Sequence, residues 1–265
     1  EVAPEDIESH GRLEPGKMFL VDMNQGRIIN DEEIKSKIVK ERPYQKWLDK
    51  TRLHLKDIPY TGETCPIELL DIKTRQRLFN YTFEDIQEVI SPMAQKAKEA
   101  LGSMGIDTPL AVLSNKPQLI SNYFKQLFAQ VTNPPLDGIR EEIVTDISLS
   151  LGKDRNIFSI TERQCRKLKI QNPVISNDDL EKIRHISVEG FKTETIEMLY
   201  QKEKGLNGLE DALENIIIQI EKALENKTNI IILSDRGVSK EMAPIPSLLA
   251  CSFVNHQMNR LRKRS

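Results

Sequence analysis

TPLAVLSNKPQLISNYFKQLFAQVTNPPLDGIREEIVTDI, residues 108–147, is the stretch on which the fold reading turns. Leu110 to Leu113 is a short apolar run of the kind that forms a strand buried on both faces. Ser114-Asn115 offers a cap, and Pro117 lies just inside a helix start, where a missing N–H costs little. Leu119, Ile120, Tyr123, Phe124, Leu127 and Phe128 recur at i, i+1, i+4, i+5, i+8 and i+9, which predicts one wide apolar helical face. The helix must stop near Gln130, because a residue before proline is pushed out of the α region and Asn133-Pro134-Pro135 does this twice. Asp137 then caps a second helix carrying Ile139, Ile143, Val144 and Ile147 inward. Strand, helix, stiff loop and helix in succession predict an α/β domain.

Working outward, the same grammar recurs. KMFLVDMNQGRIIN, residues 17–30, predicts a hairpin turning at Asn24-Gln25-Gly26, followed by a capping box of Asn30 with Glu33. Ile34, Ile38 and Val39 give the helix after it a buried face. A polar helix with Trp47, Leu48, Leu53 and Leu55 as anchors is predicted over residues 41–60, and Ile58 to Pro66 has the composition of a linker. Ser91-Pro92 reads as a cap followed by proline at the first helical position, with Gly102 ending that helix. Short apolar runs follow at Asn156–Ile160, Pro173–Ile175, Ile186–Val188 and Thr195–Leu199. The clearest helix spans Gly208 to Asn226, where Leu209, Ala212, Leu213, Ile216, Ile217, Ile220, Ala223 and Leu224 form one stripe. It runs into Asn229–Leu233, a buried strand, and the polar loop Ser234-Asp235-Arg236-Gly237. Helix before strand, with polar residues at the strand's C-terminal end, predicts an irregular or partial β/α barrel-like domain with mostly parallel strands, preceded by a small hairpin–helix segment.

Composition narrows the function classes. Hydrophobic residues at 38% and charged residues at 29% describe a water-soluble surface, and a net charge of −2 argues against general nucleic-acid binding. No apolar run approaches a membrane span, and the acidic start EVAPEDIESHG is no signal peptide. Cys65, Cys165 and Cys251 are far apart and next to no histidine, which fits neither a zinc site nor a disulfide framework and favours a reducing, cytoplasmic compartment. Residue 1 is Glu where a natural start would carry Met, which suggests an internal fragment.

Several words of this sequence resemble the central domain of the glutamate synthase large subunit. They are Ser103-Met104-Gly105, Asp107-Thr108-Pro109-Leu110-Ala111-Val112-Leu113-Ser114, Tyr123-Phe124-Lys125-Gln126, Phe128-Ala129-Gln130-Val131-Thr132-Asn133-Pro134-Pro135 and Arg140-Glu141-Glu142. Ile230–Arg236 and Ile245–Ala250 resemble a later part of that domain, and the family's domain continues beyond it. Gly11 to Asp22 resembles the end of the family's class II amidotransferase (glutaminase) domain. The resemblance implies an amidotransferase remnant over residues 1–40, a linker over 41–66 and a C-terminally incomplete central domain over 67–265. Such enzymes convert L-glutamine and 2-oxoglutarate to two L-glutamate: a terminal cysteine hydrolyses glutamine, ammonia crosses an internal tunnel, and 2-iminoglutarate is reduced at FMN beside an iron–sulfur cluster. The partners so implied are the amidotransferase and FMN-binding domains of the same chain, with a small NADPH-oxidising subunit or ferredoxin supplying electrons. Asp107, Thr108, Thr132 and Asn133 become candidates for a domain junction or the tunnel wall.

None of the catalytic equipment is legible in the residues themselves. Residue 1 is not cysteine, no three cysteines are spaced to hold a cluster, and no glycine-rich phosphate loop follows a strand. His10, His54, His185 and His256 are scattered without metal spacing. The expectation is therefore no catalytic, cofactor or metal residue, and a fragment inactive by itself. The rival reading is an autonomous α/β enzyme acting on a small anionic substrate, with Asp235 and Arg236 as acid and orienter at a strand end.

Overall fold

The computed structural model describes residues 2–60, 62, 70–100, 109–125 and 135–264. Within it, residues 1–52 and 157–166 gather into one unit, and residues 53–156 and 167–265 into a second. Local chemistry explains most of the first unit. The predicted hairpin forms: β1 (Leu20–Asp22) pairs antiparallel with β2 (Arg27–Ile29), Leu20 facing Ile29. Its turn is held by Asp22, whose Oδ1 accepts from the backbone N–H groups of Asn24 and Gln25, and is closed by Gly26 at φ +63. Asn30 caps α1 (Asp31–Lys40) by accepting from the Glu33 N–H at 2.8 Å. The Glu33 carboxylate is taken by Arg27 of β2 in a bidentate pair at 2.9 and 2.6 Å. Ile38 and Val39 of α1, expected inward, are exposed. Next comes α2 (Tyr44–Thr51), where the Tyr44 and Trp47 rings meet edge to face, 5.6 Å between centroids.

The second unit opens with β3 (Leu53–His54), and its helices α3 (Ile72–Leu78), α4 (Ser91–Lys96) and α5 (Gly138–Val144) are short. Then β4 (Leu149–Leu151) and β5 (Leu168–Ile170) join β3 in a three-stranded sheet of order β3-β5-β4, with α6 (Asn177–Arg184) behind them in sequence. A parallel pair follows, β6 (Thr193–Glu197) with β8 (Ile230–Ser234), joined by β7 (Leu199–Gln201) and the 21-residue α7 (Gly205–Glu225). β9 (Met242–Pro244) pairs antiparallel with β7, and α8 (Ser247–Arg260) closes the chain. Two apolar cores result. One gathers Leu55, Ile58, Leu168, Ile170, Ile183, Ile186, Phe191 and Ile230; the other sets Ile216 and Ile220 of α7 against Ile196, Ile245 and Ala250. The predicted linker thus begins with Ile58 inside a core.

The α/β class stands, but among the described residues the barrel-like, mostly parallel arrangement is not seen. Among the described residues two strand pairings are parallel and three antiparallel, and no barrel closes. The reason lies at Met198, where the chain leaves its parallel partner: its N–H donates to the Ser234 carbonyl and its own carbonyl accepts from the Ile245 N–H, both at 2.8 Å. From there β7 takes an antiparallel neighbour.

The opening stretch also folds differently from its pattern. Leu110–Leu113 is no strand; Ala111–Leu113 is a 3₁₀ turn that satisfies itself through Leu113 N–H to Leu110 O and Ser114 N–H to Ala111 O. Of the helix expected from Pro117, the described part is a 3₁₀ stretch, Ile120–Phe124, and residues 126–134 lie outside the described residues. Asp137 does cap α5, accepting from the N–H groups of Ile139 and Arg140. Its isoleucines point out instead of in: Ile139 is 84% exposed and Ile143 78%. Ser91 lies within helical chain that already runs through Asp85–Ile90, and α4 ends at Ala97 (φ +48) ahead of Gly102, which is outside the described residues. Asn156–Ile160, Pro173–Ile175 and Ile186–Val188 carry no strand.

Candidate functional site

β6 and β8 end together, Glu197 opposite Ser234, so whatever follows β8 is displayed at one sheet edge. The loop there is built by hydroxyls. Ser234 is buried, and its Oγ accepts from the Arg236 N–H at 3.3 Å. Ser239 Oγ accepts from the N–H groups of Glu241 and Met242 at 3.1 Å and donates to the Glu241 carboxylate at 2.9 Å. Gly237 sits between at φ +93, where a Cβ would stand 3.3 Å from the Leu199 methyl and 3.9 Å from Glu197 Oε1. Asp235 and Arg236 are therefore half-buried on a loop pinned at both ends, with Glu197 beside it. The edge thus presents a carboxylate and a guanidinium on a loop held by serine hydroxyls. Among the described residues no three His, Cys, Asp or Glu side chains converge to hold a metal ion.

Asp107, Thr108, Thr132 and Asn133 all lie outside the described residues. Their neighbours Pro109 and Pro135 are described, and the cap at Asp137 fixes where the chain re-enters helix.

A charged cluster that sequence reasoning missed lies on α6. Glu181 is 5% exposed, and its carboxylate meets the Arg184 guanidinium at 3.2 Å and His185 Nε2 at 3.4 Å. Arg184 also donates to Thr195 Oγ1 at 2.6 Å, which ties α6 to β6. Partial burial beside Asp178 and Glu181 pushes the Tyr60 phenol up, and the Lys182 ammonium draws the Asp179 carboxyl down. The signal was legible: Glu181, Arg184 and His185 fall at i, i+3 and i+4, one face of a helix capped by Ser176.

A second missed feature is the segment 157–166, which leaves the second unit and packs in the first. It folds on its own 3₁₀ turn, Glu162–Cys165, closed by a reciprocal capping box between Thr161 and Gln164. The carbonyl of Ile160 accepts from Arg42 Nη1 at 2.5 Å, and Glu162 pairs with Lys50 at 2.8 Å.

Two family descriptions cover the chain in tandem. Residues 74–265 match the glutamate synthase central domain and residues 1–47 match class-II glutamine amidotransferases. The chain belongs to the glutamate synthase central-domain family. It is 42% identical over 260 residues to the NADPH glutamate synthase large chain of Bacillus subtilis, a match covering 98% of this chain and 17% of that one. It is 36% identical over 277 residues to the NADH glutamate synthase of Schizosaccharomyces pombe, covering 99% and 13%. With ferredoxin-dependent glutamate synthase 2 of Synechocystis the identity is 35% over 259 residues, covering 96% and 16%. The chain thus spans less than a fifth of the curated relatives it matches. Among the described residues no helix is long and apolar enough to cross a membrane.

Proposed function

We propose that this chain is the connecting part of a glutamate synthase, which converts L-glutamine and 2-oxoglutarate to two L-glutamate. In this reading it joins the end of the glutaminase domain to the central domain and holds the glutaminase and FMN domains in register. The observation that carries it is the order of the two family matches, amidotransferase over 1–47 and central domain over 74–265, in one chain. In this reading Asp107, Thr108, Thr132 and Asn133 border the ammonia path. Free ammonia must neither leak nor take up a proton on the way, so its path needs ordered walls with few bases.

Cys165 and Cys251 belong to different units, and among the described residues no third cluster ligand stands with either. FMN and the iron–sulfur cluster are assigned to the remainder of the polypeptide, and electrons reach it from a small NADPH-oxidising subunit or ferredoxin. The strand-end loop at Asp235 and Arg236, the basis of the autonomous-enzyme reading, serves in this reading as a structural edge of the sheet.

Two measurements test this. An antibody raised to this chain should detect a natural polypeptide several times heavier than 30.4 kDa; a band near that mass would sink the proposal. In the full-length enzyme, Thr132→Trp should release ammonia to solvent, lowering glutamate formed per glutamine hydrolysed by up to about twofold, from two toward the one that hydrolysis alone supplies. Unchanged stoichiometry would remove the tunnel role and leave the spacer.

A further inference from the structure

We propose that residues 157–166 form a clasp on α2, with Arg42, Lys50 and Glu162 as positioning residues that keep glutamine hydrolysis coupled to glutamate synthesis. This rests on the connecting-domain reading above and deepens it. The segment falls inside the stretch matched to the central-domain family, while α2 follows directly on the hairpin and α1 matched to the amidotransferase family. It nevertheless packs within the first unit, leaving after Asn156 and returning at Lys167.

Two polar contacts grip α2 at opposite ends. Arg42 stands just before the helix start and donates from Nη1 to the Ile160 carbonyl at 2.5 Å; Lys50 is in the last turn and meets Glu162 Oε1 at 2.8 Å. A guanidinium on a peptide carbonyl fixes direction as well as distance, because its planar fork is rigid. The lysine–carboxylate pair is half exposed, so it sets register with a small and reversible contribution. The clasp arrives preformed: Thr161 and Gln164 close its 3₁₀ turn from within, Gln164 Oε1 accepting from the Thr161 N–H at 2.9 Å. A preformed turn loses little entropy when it seats, so weak contacts suffice to hold it. α2 has no side-chain N-cap, since Pro43 occupies that position. Arg42 and Lys50 fix where its ends lie against the segment. The clasp is a tie between a piece of the central-domain match and α2, the helix in which the amidotransferase match ends, and neither chemistry runs through it.

The test uses full-length glutamate synthase carrying this chain, assayed for ammonia released per glutamate formed alongside the rate of glutamine hydrolysis. Glu162→Lys and Arg42→Ala should each raise that ratio about threefold with hydrolysis unchanged, since each removes one weak contact. The charge-swapped pair Lys50→Glu/Glu162→Lys should return it to the starting value. Unchanged ratios in both single variants, a parallel fall of both activities, or failure of the swap to restore coupling would each overturn the clasp. Thr132→Trp separates the two ideas. If it leaks ammonia while the clasp variants stay tight, the clasp falls and the connecting-domain reading stands. If none of them leaks, the clasp falls together with the coupling role.

Discussion

Helix α7 sets Ile216 and Ile220 at the heart of an apolar cluster, whereas α5 holds Ile139 and Ile143 out toward solvent, although both helices space isoleucines four residues apart. The two differ in length and in what lies next to them. With 21 residues, α7 has enough turns to offset its nucleation cost, and it is flanked by β6 and β8, strands whose other face is already occupied. With seven residues, α5 is short for a helix to stand alone, and its cap at Asp137 supplies what local stability it has. Periodicity therefore reports which side chains favour burial. A neighbour must be present before they are buried.

That contrast can be broken by substitution. The largest effect is expected for Ile216→Ala, at 1% exposure, which should cost about 2–5 kcal/mol in urea unfolding, while Ile143→Ala should fall within about 0.5 kcal/mol of the starting protein. Equal losses at the two sites would show that α5 is packed as tightly as α7. Next is Glu181→Ala, which takes a buried carboxylate away from Arg184 and His185 and should cost about 2–3 kcal/mol by thermal melting. Gly237→Ala forces a side chain into the left-handed region against Leu199 and should cost about 1–2 kcal/mol. Ser176→Ala removes the α6 cap and should cost about 1 kcal/mol.

The smallest effect sharpens the comparison through pH. The two N–H donors at the start of α5 and the Arg140 guanidinium hold the Asp137 carboxyl below the usual carboxylate range. A carboxyl lowered on folding contributes stability above its unfolded value and loses it as pH falls through the folded one, here below about pH 4. α6 is capped by the hydroxyl of Ser176, which does not titrate there. Amide exchange in α5 should therefore rise on acidification, and Asp137→Asn should abolish that acid step, although α6 carries its own lowered carboxyl at Asp179. An unchanged step in Asp137→Asn would remove Asp137 as the cause.

Long, repetitive signals were legible in the sequence. The α7 stripe, the β8 run, the hairpin at Gly26 and the caps at Asn30 and Asp137 all appear where their residues place them. What escaped was pairing. Leu168–Ile170 and Leu149–Leu151 each alternate apolar and polar over only three residues, too short a window for a period, and they become strands because they face each other. Leu110–Leu113 is more apolar than either, yet it curls into a 3₁₀ turn that satisfies its own hydrogen bonds. At the candidate site the sequence singled out Asp235 and Arg236. Ser234 reads only as a member of the polar loop and Ser239 is not singled out, because serine in a loop carries no distinctive spacing.

The Met198 peptide, shared between Ser234 on one side and Ile245 on the other, behaves as a rivet through two plates. A protease that nicked the exposed tip at Ser239-Lys240 would leave both plates fastened, since neither hydrogen bond passes through the tip. The same tip is the place to graft a tag or a fluorophore into this half of the chain, because the fold on either side is closed by a bond the insertion does not touch.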